Sequence, residues 1–158
     1  MFRKFTIAGA IAVAVTGAGA MLYFGGASEN PAPAFISPSS QELVAKGKAI
    51  YGTHCAACHG VNLEGQSEWR QRLPNGRLPA PPHDPTGHTW HHPDAVLVEI
   101  VKNGLVPGKT APEGYESDMQ AYGKVLSDGE IVAVLAYIKS TWPADILEMQ
   151  KTVTLQRN

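Results

Sequence analysis

Apolar positions recur at helical spacing in three stretches of the chain. The first follows Ser39-Ser40-Gln41-Glu42 and carries Leu43, Gly47, Ile50, Tyr51 and His54 on one face. Ser39 with Glu42 fits a capping box, which predicts the helix start there. Gly47 costs such a helix roughly 1 kcal/mol against Ala, and makes sense where another helix crosses closely. The second stretch begins near Pro93, with Val96, Leu97, Ile100 and Val101 as its stripe. Pro93 and Asp94 suit its positive end, and Asn103-Gly104 suits its termination. The third opens on Ser127-Asp128-Gly129-Glu130, another capping box, and runs through Ile131, Val134, Leu135 and Ile138 to Trp142, where Pro143 stops it. No stretch alternates with a period of two, so the pattern predicts an all-α fold. Residues 144–158 show no readable pattern and read as a C-terminal tail.

The N-terminus has a different pattern. Arg3 and Lys4 precede an uncharged run from Phe5 to Phe24. A basic flank followed by an apolar stretch is an export signal. The run has about 20 residues, enough to span a hydrocarbon core, and Tyr23 and Phe24 suit the far interface. Those features favour an uncleaved single-pass anchor over residues 1–24. Ala18-Gly19-Ala20 and Gly25-Gly26-Ala27 leave removal as a signal peptide open. Residues 25–38, with Pro31, Pro33 and Pro38, read as an extended Pro-rich linker. One domain, residues 39–143, is thereby expected on the periplasmic side of the inner membrane, anchored or, after cleavage, soluble.

Charge then narrows the class. Thirteen Lys+Arg stand against 14 Asp+Glu, which argues against a nucleic-acid partner, since neutralising phosphates needs a basic stripe. Twelve Pro and 16 Gly point to a loop-rich domain held by something besides regular ladders.

That something is suggested by Cys55-Ala56-Ala57-Cys58-His59, which contains both cysteines of the chain. Two thiols at this spacing add to the two vinyl groups of a haem, and the adjacent His59 sits under the iron as its proximal ligand. A thioredoxin-like pair wants a βαβ setting, which is missing, and a zinc site wants two more ligands at suitable spacing. The distal ligand is sought among four methionines. Met1 and Met21 lie in the leader, and Met149 lies in the tail. Met119 lies in the Gly- and Pro-containing loop from Val106 to Gly123, from which a thioether can reach the iron opposite His59. His/Met ligation is common in electron transfer.

From about Ser39 to Trp142 the chain resembles a class I monohaem cytochrome c domain, of the compact bacterial kind found free, anchored or fused to oxidoreductases. The resemblance rests on a helix running into Cys55-Ala56-Ala57-Cys58-His59-Gly60, a Met loop, and a helix from Ser127-Asp128-Gly129-Glu130 to Tyr137-Ile138. It implies the small cytochrome c fold, with N- and C-terminal helices crossing around one covalently bound haem c. Gly47 and Tyr51 would meet Leu135 and Tyr137 at that crossing. It implies a proline carbonyl against the proximal His, a role that falls to Pro81. His83 then stands near a position that is usually apolar. Trp90, with His88 or His91, would donate to the haem propionates.

The function expected is one-electron transfer between membrane-associated redox partner proteins. The chain is then a carrier and not itself an enzyme, or else a haem c subunit of a dehydrogenase or oxidase. Two rivals stand beside it. A catalytic or gas-sensing haem needs an open distal face. A metal-binding accessory protein would use the four His between positions 83 and 92.

Overall fold

The computed structural model describes residues 35–156, all within a compact unit assigned to Pro31–Asn158. The expected anchor, residues 1–24, lies outside the described residues. Five α-helices carry the described chain: α1 (Gln41–His54), α2 (Ala56–His59), α3 (Asp94–Asn103), α4 (Asp128–Ser140) and α5 (Ala144–Gln156). A single 3-10 turn, Thr89–His91, lies between α2 and α3. Among the described residues there is no strand, only an isolated bridge between Pro107 and Ala111. None of the described helices is long and apolar enough to cross a membrane.

The helix ends follow local chemistry, with one correction. α1 is capped by Ser40, whose Oγ accepts from the Leu43 amide at 3.2 Å. The expected cap, Ser39, is one residue outside; its Oγ pairs with Ser37 at 3.0 Å. Three residues after Ser40 stands Leu43, so no capping box forms at this end. At α4 the box forms as expected, with the Ser127 amide donating to Glu130 Oε2 at 2.9 Å. Pro93 is the N-cap of α3, and Gly104 ends it at φ 77°. That left-handed conformation suits glycine.

The core lies where α1 crosses α4. Gly47 is buried against α4, and a Cβ there would overlap the carbonyl of Ala133. Tyr51 packs its ring 5.4 Å from that of Tyr137. Of the two residues expected opposite Gly47 and Tyr51, Tyr137 is the one at the crossing. Leu135 points away, into the cleft described below. Ile131, Val134, Leu135 and Ile138 of α4 are all buried, as is Trp142 just beyond its end, so the expected stripe is core.

Two segments differ from expectation. The tail is α5, whose buried residues are Gln150 and Thr154. Its Ile146 and Leu147 pack against the core only partly buried, and its fully buried positions are polar, so apolar periodicity marks it poorly. The end of the expected linker also joins the domain, and Ile36 is 1% exposed. Both segments meet at Asp94. Its carboxylate pairs with Lys139 Nζ at 2.6 Å and accepts from the Ile36 amide at 2.5 Å and from Gln150 Nε2 at 2.8 Å. Lys139 Nζ also donates to the Ile36 carbonyl at 3.0 Å, and the Asp94 amide donates to Thr154 Oγ1 at 3.1 Å. A buried ion pair is tolerable when its remaining hydrogen-bonding capacity is filled in this way.

Candidate functional site

A cleft of about 830 Å³ opens between the α1–α2 turn, α3, α4 and the loop before α4. That volume lies in the range of cofactor pockets. Cys55, Cys58 and His59 line one wall. Leu97, Ile100 and Val101 of α3, and Val134, Leu135 and Ile138 of α4, form its apolar back. Met119 lines it from the loop.

The wall is built by helix geometry. α1 ends at His54, and Cys55 caps the short α2 that carries Cys58 and His59. Burial, then the neighbouring Cys58, pushes the Cys55 thiol up to about 11. Reactive redox thiols are instead held low. The Tyr122 hydroxyl donates to the His54 carbonyl at 2.6 Å, and the Tyr51 hydroxyl donates to the Gly60 carbonyl at 2.9 Å. These two bonds fix the chain on either side of the cysteine motif.

His59 is buried, and its Nδ1 lies 2.8 Å from the Pro81 carbonyl, placed to donate to it. Burial lowers its pKa from the ordinary value, with the Pro81 bond opposing. A neutral imidazole with Nδ1 so engaged keeps the lone pair of Nε2 for a metal. Pro81 is held by its surroundings. Gly65, at φ 68°, packs so closely that a Cβ there would lie 2.5 Å from Pro82 N and 2.7 Å from Pro81 C. The Gln66 amide donates to the Ala80 carbonyl at 2.9 Å, and the His83 amide donates to the Leu63 carbonyl at 2.8 Å.

The remaining expected residues lie as follows. Met119 is partly buried, its amide bonded to Ser117 Oγ at 3.0 Å. Met149 is 49% exposed on α5 and does not line the cleft. Trp90 also lies off the cleft lining, its indole N–H directed at the Pro85 carbonyl at 3.4 Å and its ring stacked on His91 at 3.7 Å. His83, His88 and His92 line the cleft, but among the described residues no three His, Cys, Asp or Glu gather in a way that holds a metal ion. The His stretch is spent on ring contacts instead, including Trp69 on His88 at 5.4 Å and His88 on His92 at 5.5 Å.

Two features escaped the sequence. Arg77 bridges from the loop before Pro81 to Asp118 and to Glu116, the latter at 3.5 Å, and so joins both sides of the cleft next to Met119. No pattern links positions so far apart in sequence. His83 stacks on His59 with centroids 4.0 Å apart and planes at 24°. Its place just after Ala80-Pro81-Pro82 was the available signal.

The donor set and the cleft fit a haem c. Two thiols stand on the wall, a buried neutral imidazole stands beside them, a thioether stands on the loop, and an apolar back matches a porphyrin ring. Comparison with known proteins agrees. A family model described as "Cytochrome c" matches residues 44–142. The "Cbb3-type cytochrome c oxidase subunit CcoP" of Azospirillum sp. (strain B510) is 33% identical over 97 residues. That match takes in 60% of this chain but only 27% of the relative, so the similarity concerns one part of a longer protein.

Proposed function

Starting from a chain that belongs to the cytochrome c family, we propose that it carries one haem c and passes single electrons between partner proteins at a membrane. The observation that carries this reading is His59, buried beside Cys55 and Cys58 with its Nδ1 engaged by Pro81 at 2.8 Å. A haem bound here supplies a one-electron iron couple. The protein does the rest. Cys55 and Cys58 would hold the haem through their thiols, and His59 and Met119 would supply the protein ligands to its iron. With His59 and Met119 both so engaged, the iron would offer no place to a substrate, which favours transfer over catalysis. The apolar wall of α3 and α4 excludes water and, with Met ligation, favours a high potential.

Residues 1–24 serve in this reading as a signal-anchor that keeps the domain on the periplasmic side. A tether of this kind raises the effective concentration of its redox partners.

The likeness to an oxidase subunit favours a second, narrower reading. Here the domain works as a haem c subunit within a terminal oxidase or a similar complex, and not as a free shuttle. Purification from native membranes with identification of co-purifying subunits separates the two.

The test of the main reading is Cys55→Ala with Cys58→Ala. Denatured parent protein should stain for haem on a gel, and the double variant should not. A variant that keeps its stain would overturn covalent attachment at this motif.

A further inference from the structure

We infer that His83 is a positioning residue for His59, and that its stacked ring sets the rotation of the proximal imidazole. The inference rests on the reading of His59 as an iron ligand.

The Pro81 carbonyl fixes the direction of His59 Nδ1 through one bond of 2.8 Å. One bond is a point restraint. It leaves some freedom of rotation to a ring that is otherwise tethered only through Cβ. A flat group against the ring face restrains that freedom, because a ring turned out of the stack would press its edge into it. His83 is such a group, with centroids 4.0 Å apart and planes 24° apart.

A ring can orient another only if it is itself held, and His83 is held at four points. Its amide donates to the Leu63 carbonyl at 2.8 Å. Its carbonyl accepts from the indole N–H of Trp142 at 2.8 Å. Its Nδ1 lies 2.8 Å from Oγ1 of buried Thr89. The Tyr51 ring meets it edge-on at 6.3 Å and 73°. These holds come from the loop after α2, the end of α4, the 3-10 turn and α1, so the platform is tied to much of the core. An aliphatic side chain at position 83 would fill the same space without preferring an orientation.

The orientation of an axial imidazole governs the pattern of haem-methyl shifts in the proton NMR spectrum of a ferric low-spin haem. The experiment compares parent, His83→Leu, His83→Phe and Thr89→Val as full-length haem-loaded proteins. His83→Leu should keep covalent haem but change the order or spread of the methyl signals. His83→Phe, which keeps a flat ring, should hold the parent pattern. Thr89→Val loosens the platform without removing it, and should shift the signals in the same sense by less. It also serves where His83→Leu does not fold. A parent pattern in both His83→Leu and Thr89→Val overturns the inference, as does a His83→Phe pattern moved as far as that of His83→Leu. A parent with no covalent haem overturns the reading of the site itself, and the inference with it.

Discussion

Gly47 of α1 lies against the backbone of Ala133 on α4, with the Cβ of Tyr137 only 2.9 Å from where a Gly47 Cβ would stand. Backbone atoms do not rotate away as a side chain does, so the crossing tolerates no larger residue. Gly47→Ala gains about 1 kcal/mol of helix propensity. It loses about 1–3 kcal/mol to overpacking, and the loss should win. Gly47→Val should cost more. Denaturant unfolding of the haem-loaded protein measures both, and an alanine variant as stable as the parent would refute the tight crossing.

Met119 lines the cleft, whereas Met149 is half-exposed on α5. Met119→Ala should leave the fold intact and admit carbon monoxide to the reduced protein and azide to the oxidised one. Met119→His should still ligate, but should lower the potential by favouring the ferric form. If Met119→Ala keeps the parent spectrum and excludes carbon monoxide, the distal ligand lies elsewhere.

Asp94 and Lys139 are 1% exposed each. Burial draws the Lys139 ammonium below its usual range, and the Asp94 contact opposes this. Lys139→Met leaves a buried carboxylate without its cation, and should cost about 3–5 kcal/mol. Adding Asp94→Asn should recover part of that loss. A double-mutant cycle by denaturant unfolding gives the coupling, and simple additivity would show that the pair does not act as one.

Hydrogen bonds from the Ser127 amide, then from its hydroxyl, hold the Glu130 carboxyl below its ordinary value of 4.5. A carboxyl depressed by folding stabilises above its unfolded pKa, and that stability is lost as pH falls through the folded pKa. Glu130→Gln should therefore be less stable than the parent near neutral pH. The gap should close in acid, below the folded pKa. Unfolding midpoints of both proteins across this range decide it, and a constant gap would mean that charge at the cap plays no part.

The N-terminal run makes the simplest prediction. Intact protein should partition with membranes, and a chain beginning at Pro31 should be soluble with an unchanged spectrum. N-terminal sequencing of the native protein is the direct check, since a mature start near Met21 or Ser28 would remove the anchor.

What the sequence disclosed follows from how each feature is encoded. The helices around the cleft are encoded by apolar stripes and by the Ser127 cap, both local signals. Cys55, Cys58 and His59 are adjacent, so their chemistry is legible as a string. α5 was hidden because its fully buried positions, Gln150 and Thr154, are polar, and Ile146 and Leu147 alone give no apolar period. Ile36 was hidden because a single residue after a Pro-rich run gives no sign that Asp94 and Lys139 will bond both its amide and its carbonyl. The stack of His83 on His59 joins residues 24 positions apart across a loop, and only packing decides how two such rings meet.

The bonding of Ile36 also has a mechanical side. A pull on the chain upstream of Phe35 reaches the Phe35 ring, which lies under Lys139, then the Ile36 amide and carbonyl, and through them Asp94 on α3 and Lys139 on α4. Load therefore enters at two helices that already share a core, through a short hydrogen-bonded bridge. The loop bearing Met119 lies outside this path. A domain held this way can be tugged from its N-terminal side while the more delicate face of its cleft stays slack.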